Sequence, residues 1–118
     1  MIIVISSTGD SKYSVLDSRF GRCSNFAVYN SKTDTYEFVE NSAAASGHGA
    51  GISAAQKVTD LKANVVLTGN LGPKAKQVLD ASGIKGYQVH DMKIEDAVHA
   101  YQNGEAREIA SAGPSHQG

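Results

Sequence analysis

The hydrophobic residues of this chain fall into short blocks whose spacing predicts strands and helices in alternation. Residues 2–5 form a continuous β-branched run, which is typical of a strand buried on both faces. Residues 25–30 and 35–40 alternate apolar and polar positions around a short polar stretch. This pattern indicates an antiparallel hairpin. Two more short strands are predicted at residues 64–68 and 85–89.

Apolar residues at helical spacing predict three helices. Their inward-facing stripes comprise Ile52, Ala55, Val58 and Leu61 in the first, Ala75, Val78 and Leu79 in the second, and Ile94, Ala97, Val98 and Tyr101 in the third. Pro73 suits the first position of the second helix, and Gly83 suits a left-handed cap at its end. Gly104 closes the third helix, whose start is weakly marked because Lys93 is not a typical N-cap residue.

This order of elements predicts an α/β fold with three layers, α/β/α, around one mixed sheet. Strands that alternate with helices form a mostly parallel sheet covered on both faces. Right-handed crossovers place the first, fourth and fifth strands side by side, with the hairpin beyond the first strand. We expect a single domain over residues 1–104 and a flexible tail over residues 105–118, which are rich in Gly, Ser, Pro, His and Gln.

Composition excludes several classes of protein. The 118 residues are 41% hydrophobic and 19% charged, with a net charge of −1, so neither a nucleic-acid nor a membrane partner is indicated. The one cysteine, Cys23, cannot form an internal disulfide. No run of apolar residues is long enough to span a membrane. The first residues lack the features of a signal peptide, so we expect a cytoplasmic protein.

A glycine-rich segment before the first helix is one candidate binding element. Gly47, Gly49 and Gly51 alternate around His48 and Ala50. Unhindered N–H groups at a helix start bind anions, with help from the helix dipole. The segment also fits a dinucleotide-binding pattern. However, no tight strand-to-helix turn precedes it, and no acidic residue follows the next strand. A plain flexible loop is the simpler alternative for the glycines alone.

Two further segments carry candidate chemistry. A predicted strand is joined to a helix by a turn that contains Gly69, Asn70 and Gly72. Ligands bind at such turns in open α/β sheets, although a short turn with no binding role is the alternative. Arg19, Gly21 and Arg22 precede Cys23 directly. Arginines attract an anion and can depress the pKa of a neighbouring thiol, although a lone cysteine is more often a packed hydrophobe.

Catalytic constellations are absent from the sequence. Cys23 is not followed by the arginine that a phosphatase-type cysteine needs, and no G-x-S-x-G elbow occurs. The four histidines have no zinc-binding spacing. We therefore expect no enzymatic activity.

Together these segments resemble the dinitrogenase iron–molybdenum cofactor biosynthesis family, the NifX-like group that includes the C-terminal part of NifB. The resemblance covers about residues 1–108. The similar segments are residues 19–26 (RFGRCSNF), 40–42 (ENS), 48–56 (HGAGISAAQ), 69–75 (GNLGPKA), 83–85 (GIK) and 95–97 (EDA). Each motif is weak alone, but their shared order is specific. Two positions depart from the family pattern, because many members carry His in place of Arg19 and Ala in place of Cys23.

The resemblance implies an RNase H-like fold, with a five-stranded mixed sheet in the order 3-2-1-4-5 and an antiparallel second strand. It also implies a carrier that binds the iron–molybdenum cofactor, a precursor of it or a similar iron–sulfur type cluster. Cys23 and His48 are then candidate metal ligands, while Arg19, Arg22 and the two glycine-rich turns hold the anionic cluster. The partner would be the protein that donates or receives this cluster, and the carrier would be a monomer or weak dimer.

Two other functions are compatible with the same residues. The glycine turns could serve a binding module or enzyme for a phosphorylated small molecule, with Arg22 and Lys74 on the phosphate. Alternatively, the exposed edge of the hairpin could recruit a protein partner.

Overall fold

The computed structural model describes residues 1–45 and 49–110, and it consists of one mixed sheet with three helices. The strands are β1 (Ile2–Ser7), β2 (Asn25–Asn30), β3 (Thr35–Glu40), β4 (Val65–Thr68), β5 (Lys85–Gln88) and β6 (Arg107–Glu108). The helices are α1 (Ala50–Asp60), α2 (Pro73–Ala81) and α3 (Ile94–Gln102). Two short 3₁₀ turns lie at Phe20–Arg22 and Ser42–Ala45.

The strand order is β3-β2-β1-β4-β5-β6. β1, β4 and β5 are parallel, while β2 runs antiparallel to both β1 and β3. The predicted α/β class, the mixed sheet, the order 3-2-1-4-5 and the antiparallel second strand are therefore confirmed. The predicted number of five strands is wrong, because β6 adds a sixth strand antiparallel to β5. The RNase H-like assignment stays a prediction.

Helices cover both faces of the sheet and enclose two hydrophobic clusters. On one face, α1 and α2 pack over Val4, Val66 and the rings of Phe20 and Phe26. On the other face, α3 packs over Ile3, Ile5 and Leu67. Successive residues of β1 thus point into different clusters, which explains why its sequence is apolar throughout.

The helix boundaries follow local chemistry, except at the start of α3. Pro73 is the first residue of α2, and Gly83 and Gly104 have left-handed φ values of 72° and 76° after α2 and α3. Lys93 makes no side-chain cap at α3. Instead, the first N–H groups of α3 donate to the backbone carbonyls of Ser14 and Lys12, at 2.9 and 3.0 Å. The long loop after β1 therefore supplies the cap that the sequence lacks.

The sixth strand lies in the segment that the sequence assigned to a flexible tail. Ile109 donates its N–H to the carbonyl of Gly86 at 2.8 Å, and its side chain packs on the α1/α2 cluster. A two-residue strand carries no alternating pattern, so its pairing depends on this tertiary contact. Residues 105–110 therefore continue the folded unit, and residues 111–118 lie outside the described part.

A pair of truncations tests this extension of the fold. A chain that ends after Gly104 loses the β6 hydrogen bonds and the Ile109 contact, whereas one that ends after Ala110 keeps both. We expect the shorter chain to melt at least about 4 °C below the longer one, since loss of about 1 kcal/mol shifts Tm by that amount in a domain of this size. Thermal unfolding followed by circular dichroism measures the difference. Equal melting temperatures would show that β6 does not contribute to stability.

Candidate functional site

The ends of several strands meet at one edge of the sheet. β1 ends at Ser7, β4 at Thr68 and β5 at Gln88, and these parallel strands end on the same side. β2 begins beside Ser7, and β3 ends beside the first residue of β2. Ligands of open α/β sheets bind at such an edge, where the strand order reverses direction.

Asp17 fixes a loop across this edge. Its N–H donates to the carbonyl of Ser6 at 2.9 Å, and its carbonyl accepts from the Ser6 hydroxyl at 2.5 Å. The hydroxyls of Ser6 and Thr68 lie 2.8 Å apart and are both buried. The Ser6 hydroxyl thus lies within hydrogen-bond distance of both the Asp17 carbonyl and the Thr68 hydroxyl. This chain of hydrogen bonds ties the loop to the ends of β1 and β4.

Glycines let the same loop approach two turns closely. A Cβ on Gly69 would lie 2.6 Å from the Cβ of Ser18. A Cβ on Gly21 would lie 3.0 Å from both the Cα and the N of Gly51, in the first turn of α1. Residues 17–22, named here the edge loop, therefore contact the start of α1 and the turn after β4 together.

Arg19 lies on this loop beside the second predicted glycine turn. It forms an isolated parallel bridge with Asn70. Its Nε lies 3.3 Å from Oδ1 of Asp17 and its Nη2 lies 3.4 Å from Oδ2. The Asp17 side chain is 9% exposed, whereas that of Arg19 is 61% exposed. A guanidinium has five N–H donors, so the two contacts with Asp17 leave donors of Arg19 for a ligand.

The second arginine of the loop is directed toward another element. Arg22 is half-buried, and its Nη1 donates to the carbonyl of Ala44 at 3.3 Å. This hydrogen bond joins the edge loop to the Ser42–Ala45 turn, which leads toward α1. Arg22 therefore contributes to the position of this turn as well as to the charge of the edge.

Cys23 lies in the core beneath the edge loop. Its side chain is fully buried, and its Sγ lies 3.2 Å from the carbonyl oxygen of Phe20. Burial is the largest influence and raises the pKa of the Cys23 thiol to about 12, while the negative charge of Asp17 adds to the rise. Near neutral pH the side chain is a thiol, whereas metal ligation requires a thiolate. The predicted role of Cys23 as a ligand stays a prediction, and this geometry does not favour it.

Asn41 holds the segment around Cys23. Its Nδ2 lies 2.9 Å from the carbonyl of Cys23 and 3.3 Å from that of Gly21. Its Oδ1 accepts the N–H of Ala43 at 3.2 Å. Since Asn41 is buried, these bonds satisfy polar groups that would otherwise be costly. Sequence reasoning assigned no role to Asn41.

Asp17 was also missed by sequence reasoning. The signal available for it was its position two residues before Arg19, a spacing at which an aspartate often accepts a backbone N–H. Such a bond is present, because Oδ1 of Asp17 accepts the N–H of Arg19 at 2.9 Å. No signal in the sequence connected Asp17 to the strand ends at Ser6 and Thr68.

Within the described residues, two helices at this edge have a glycine as N-cap residue, which offers no side-chain cap. α1 begins after Gly49, whose φ is 73°, and α2 begins after Gly72. Their first N–H groups carry the positive end of each helix dipole. The start of α3 differs, since backbone carbonyls cap it. Gly47 and His48 lie outside the described residues.

The structure thus brings together much of the predicted site. Arg19, Gly21, Gly51, Gly69 and Asn70 adjoin one another through the edge loop. An open groove of about 330 Å³ lies elsewhere, between the Ser42–Ala45 turn and α1, and its lining is polar. The lining residues are Asn41, Ser42, Ala43, Ser53, Gln56, Lys57 and Asp60. None of them belongs to the predicted set.

The described residues contain neither a metal-binding cluster nor a membrane-spanning helix. Within residues 1–45 and 49–110, no three His, Cys, Asp or Glu side chains are grouped to hold a metal ion. No helix among these residues has the length and apolar character needed to cross a membrane.

Known proteins of the same size share this architecture. The apo form of the orange protein from Desulfovibrio gigas is 36% identical, with a TM-score of 0.91 and 95% of each chain covered. A NifB-like protein from Thermotoga is 27% identical, with a TM-score of 0.85, over 95% of this chain and 96% of the other. An uncharacterized protein of Methanocaldococcus jannaschii is 29% identical over 92 residues, which cover 75% of this chain and 78% of that protein.

The family assignment follows from a match along most of the chain. A family model described as dinitrogenase iron–molybdenum cofactor matches residues 1–104. The matched part contains the edge loop, the starts of α1 and α2 and the turn after β4. The recognition made from the sequence motifs is therefore confirmed, and the chain belongs to the dinitrogenase iron–molybdenum cofactor family.

Proposed function

We propose that this protein is a non-enzymatic carrier that binds an anionic metal–sulfur cofactor, of the iron–molybdenum type or a precursor, and passes it to another protein. Membership of the family supports a role in handling this cofactor. One structural observation carries the proposal. The edge loop carries Arg19 and contacts both the start of α1 and the turn before α2, at the end of the parallel strands. We also propose that the protein is located in the cytoplasm.

Positive charge and N–H donors would hold such a cluster. The exposed guanidinium of Arg19 offers charged donors, and hydrogen bonds with a charged partner are stronger than neutral ones. The starts of α1 and α2 add backbone N–H groups, which bind anions without side-chain reorganisation. These donors are held by the anchored loop, so little ordering is needed on binding.

Direct ligation to metal would come from few side chains. His48 precedes Gly49 at the start of α1 in the sequence, and its neutral imidazole is the proposed ligand. Ligation by Cys23 requires the Phe20–Arg22 turn to open, because its sulfur is buried beneath it. One or two ligands suit a carrier, since a closed four-ligand site would retain its cargo.

Anaerobic titration with isolated iron–molybdenum cofactor tests the proposal. We expect wild type to bind, His48→Ala and Arg19→Gln each to bind at least fivefold more weakly, and Cys23→Ser to change affinity by less than twofold. Loss of one charge-assisted contact of about 1–3 kcal/mol accounts for the effect of Arg19. Lys85→Gln is the matched control, because it removes one positive charge at the opposite end of β5. Equal affinity in all variants would exclude these residues from the site.

A thermal-unfolding assay distinguishes the carrier from a protein that binds phosphorylated small molecules. A panel of nucleotides and sugar phosphates is added while thermal unfolding is followed. The carrier proposal predicts no stabilisation by the panel and several degrees of stabilisation by the cofactor, because a ligand stabilises only the state that binds it. The reverse result would favour the phosphorylated ligand.

The pH dependence of stability tests the buried state of Cys23. Because burial raises the pKa of Cys23 from 9.0 to about 12, the folded chain keeps a proton that the unfolded chain loses above about pH 9. The contribution of the Cys23 thiol to the free energy of unfolding therefore has its full value below pH 9 and is lost as the pH rises toward 12. We expect the difference in unfolding free energy between wild type and Cys23→Ala to narrow by about 1 kcal/mol per pH unit above pH 9.

Urea unfolding under reducing conditions at pH 8, 9.5 and 10.5 measures this difference. All other ionisable groups are common to both variants, so their contributions cancel in the comparison. A difference that stays constant with pH would show that the thiol is accessible and could ligate metal without opening of the loop.

A further inference from the structure

The outer edge of β3 differs from the other edge of the sheet. β3 is the last strand on its side and has six residues, so one row of its backbone groups pairs with no other strand of the described residues. At the opposite edge, β6 has only two residues, and its Glu108 lies 4.0 Å from Lys85. An open strand of this length can accept another strand.

Two carboxylates on β3 have no cationic partner among the residues that the structure describes. Glu37 and Glu40 are exposed, and neither takes part in the ion pairs or side-chain hydrogen bonds found within residues 1–45 and 49–110. β3 contains no basic residue. The edge is therefore acidic and available for a cationic ligand.

Half-buried apolar side chains accompany these carboxylates. Tyr36 and Phe38 lie on the face of α3, and Val39 lies on the other face, opposite Phe26 in β2. α3 packs mainly against β1 and β4, so it leaves the rings of β3 partly exposed. An added strand would cover apolar surface on both faces of the sheet.

A second copy of this chain does not fit the edge well. Pairing of two β3 strands would add two more carboxylates to a seam that has no basic side chain. Like charges on directly paired strands are destabilising, whereas opposite charges contribute roughly 0.2–1 kcal/mol. The charge of the edge thus favours a different partner.

We propose that β3 binds an extended segment of a partner protein by antiparallel strand addition, and that this segment reads basic, apolar, apolar, basic, apolar. Its basic residues lie opposite Glu40 and Glu37. Its apolar residues lie opposite Val39, Phe38 and Tyr36. Backbone hydrogen bonds supply affinity, and the alternate side chains supply specificity. The proposal does not depend on the identity of any cargo.

Titration with short capped peptides tests this proposal by NMR. One peptide contains Lys-Val-Val-Lys-Val, and a second replaces both lysines with glutamate. We expect amide shifts centred on residues 35–40, and at least tenfold weaker binding of the acidic peptide. Glu37→Lys/Glu40→Lys should reverse this preference. Glu108→Lys is the matched control on the opposite edge and should leave both affinities unchanged.

A third peptide distinguishes strand addition from attraction between charges alone. It keeps the basic sequence but is N-methylated at the residues whose N–H groups would face β3, and we expect its binding to be lost. Equal binding of the basic and acidic peptides, undiminished binding of the methylated peptide, or shifts away from β3 would overturn the proposal. So would a dimer that Glu37→Lys/Glu40→Lys dissociates in sedimentation experiments, since the second copy would then occupy the edge. Melting temperature confirms that each variant is folded.

Discussion

The candidate site depends on the anchoring of the edge loop across the ends of β1 and β4. The backbone N–H of Asp17 bonds to the carbonyl of Ser6, and the backbone carbonyl of Asp17 bonds to the Ser6 hydroxyl. The Ser6 hydroxyl also lies within hydrogen-bond distance of the Thr68 hydroxyl. These groups are buried, so each bond removes the cost of an unsatisfied polar atom and the network has little freedom to rearrange. The position of Arg19 on the edge of the sheet follows from this network. The contact of Gly21 with the start of α1 then joins the loop to the helix.

Burial separates an inner side of the edge loop, which lies over the core, from an exposed side. Cys23 and the rings of Phe20 and Phe26 lie in the core, where Asn41 satisfies the carbonyls of the loop. Arg19 lies on the exposed side, paired with a carboxylate that is itself nearly buried. An exposed cation on a loop of fixed position suits reversible binding of an anion. The charge is positioned before the anion binds, while water and salt still compete with the anion for it. The proposed carrier therefore relies on charge and N–H donors more than on the thiol.

The two proposed binding surfaces carry opposite charge on neighbouring parts of the sheet. The edge loop presents Arg19 and Arg22, whereas β3 presents Glu37 and Glu40. β3 ends beside the first residue of β2, which pairs with the last residue of β1, so an antiparallel strand added along β3 would have its N-terminal end nearest the edge loop. A basic partner segment would be attracted to β3 and repelled from the arginines, and an anionic cluster would have the opposite preference. The charge pattern thus keeps the two ligands on separate surfaces.

Much of the fold could be predicted from the sequence because the signals are local. The apolar run of β1, the alternation in β2 and β3, and the helix boundaries at Pro73, Gly83 and Gly104 each depend on a few neighbouring residues. The glycines that carry the site were also recognised, since their spacing before helices is visible in the chain. The arginine next to Cys23 suggested a lowered pKa for the thiol, whereas burial raises that pKa, and neighbours in the sequence do not determine burial.

The sequence by itself determined the α/β class, the order of the five main strands, the family, and the three segments that hold the candidate residues. The tertiary structure decided which of their side chains are accessible, because burial is set by residues distant in the sequence. It placed the Cys23 sulfur in the core, tied Asp17 to strands that are far apart in the chain, and supplied the cap of α3 from a loop about eighty residues earlier. It also placed β6 in the sheet. A strand of two residues shows no alternation of apolar and polar residues in the sequence, and it pairs only where the edge of a folded sheet is present.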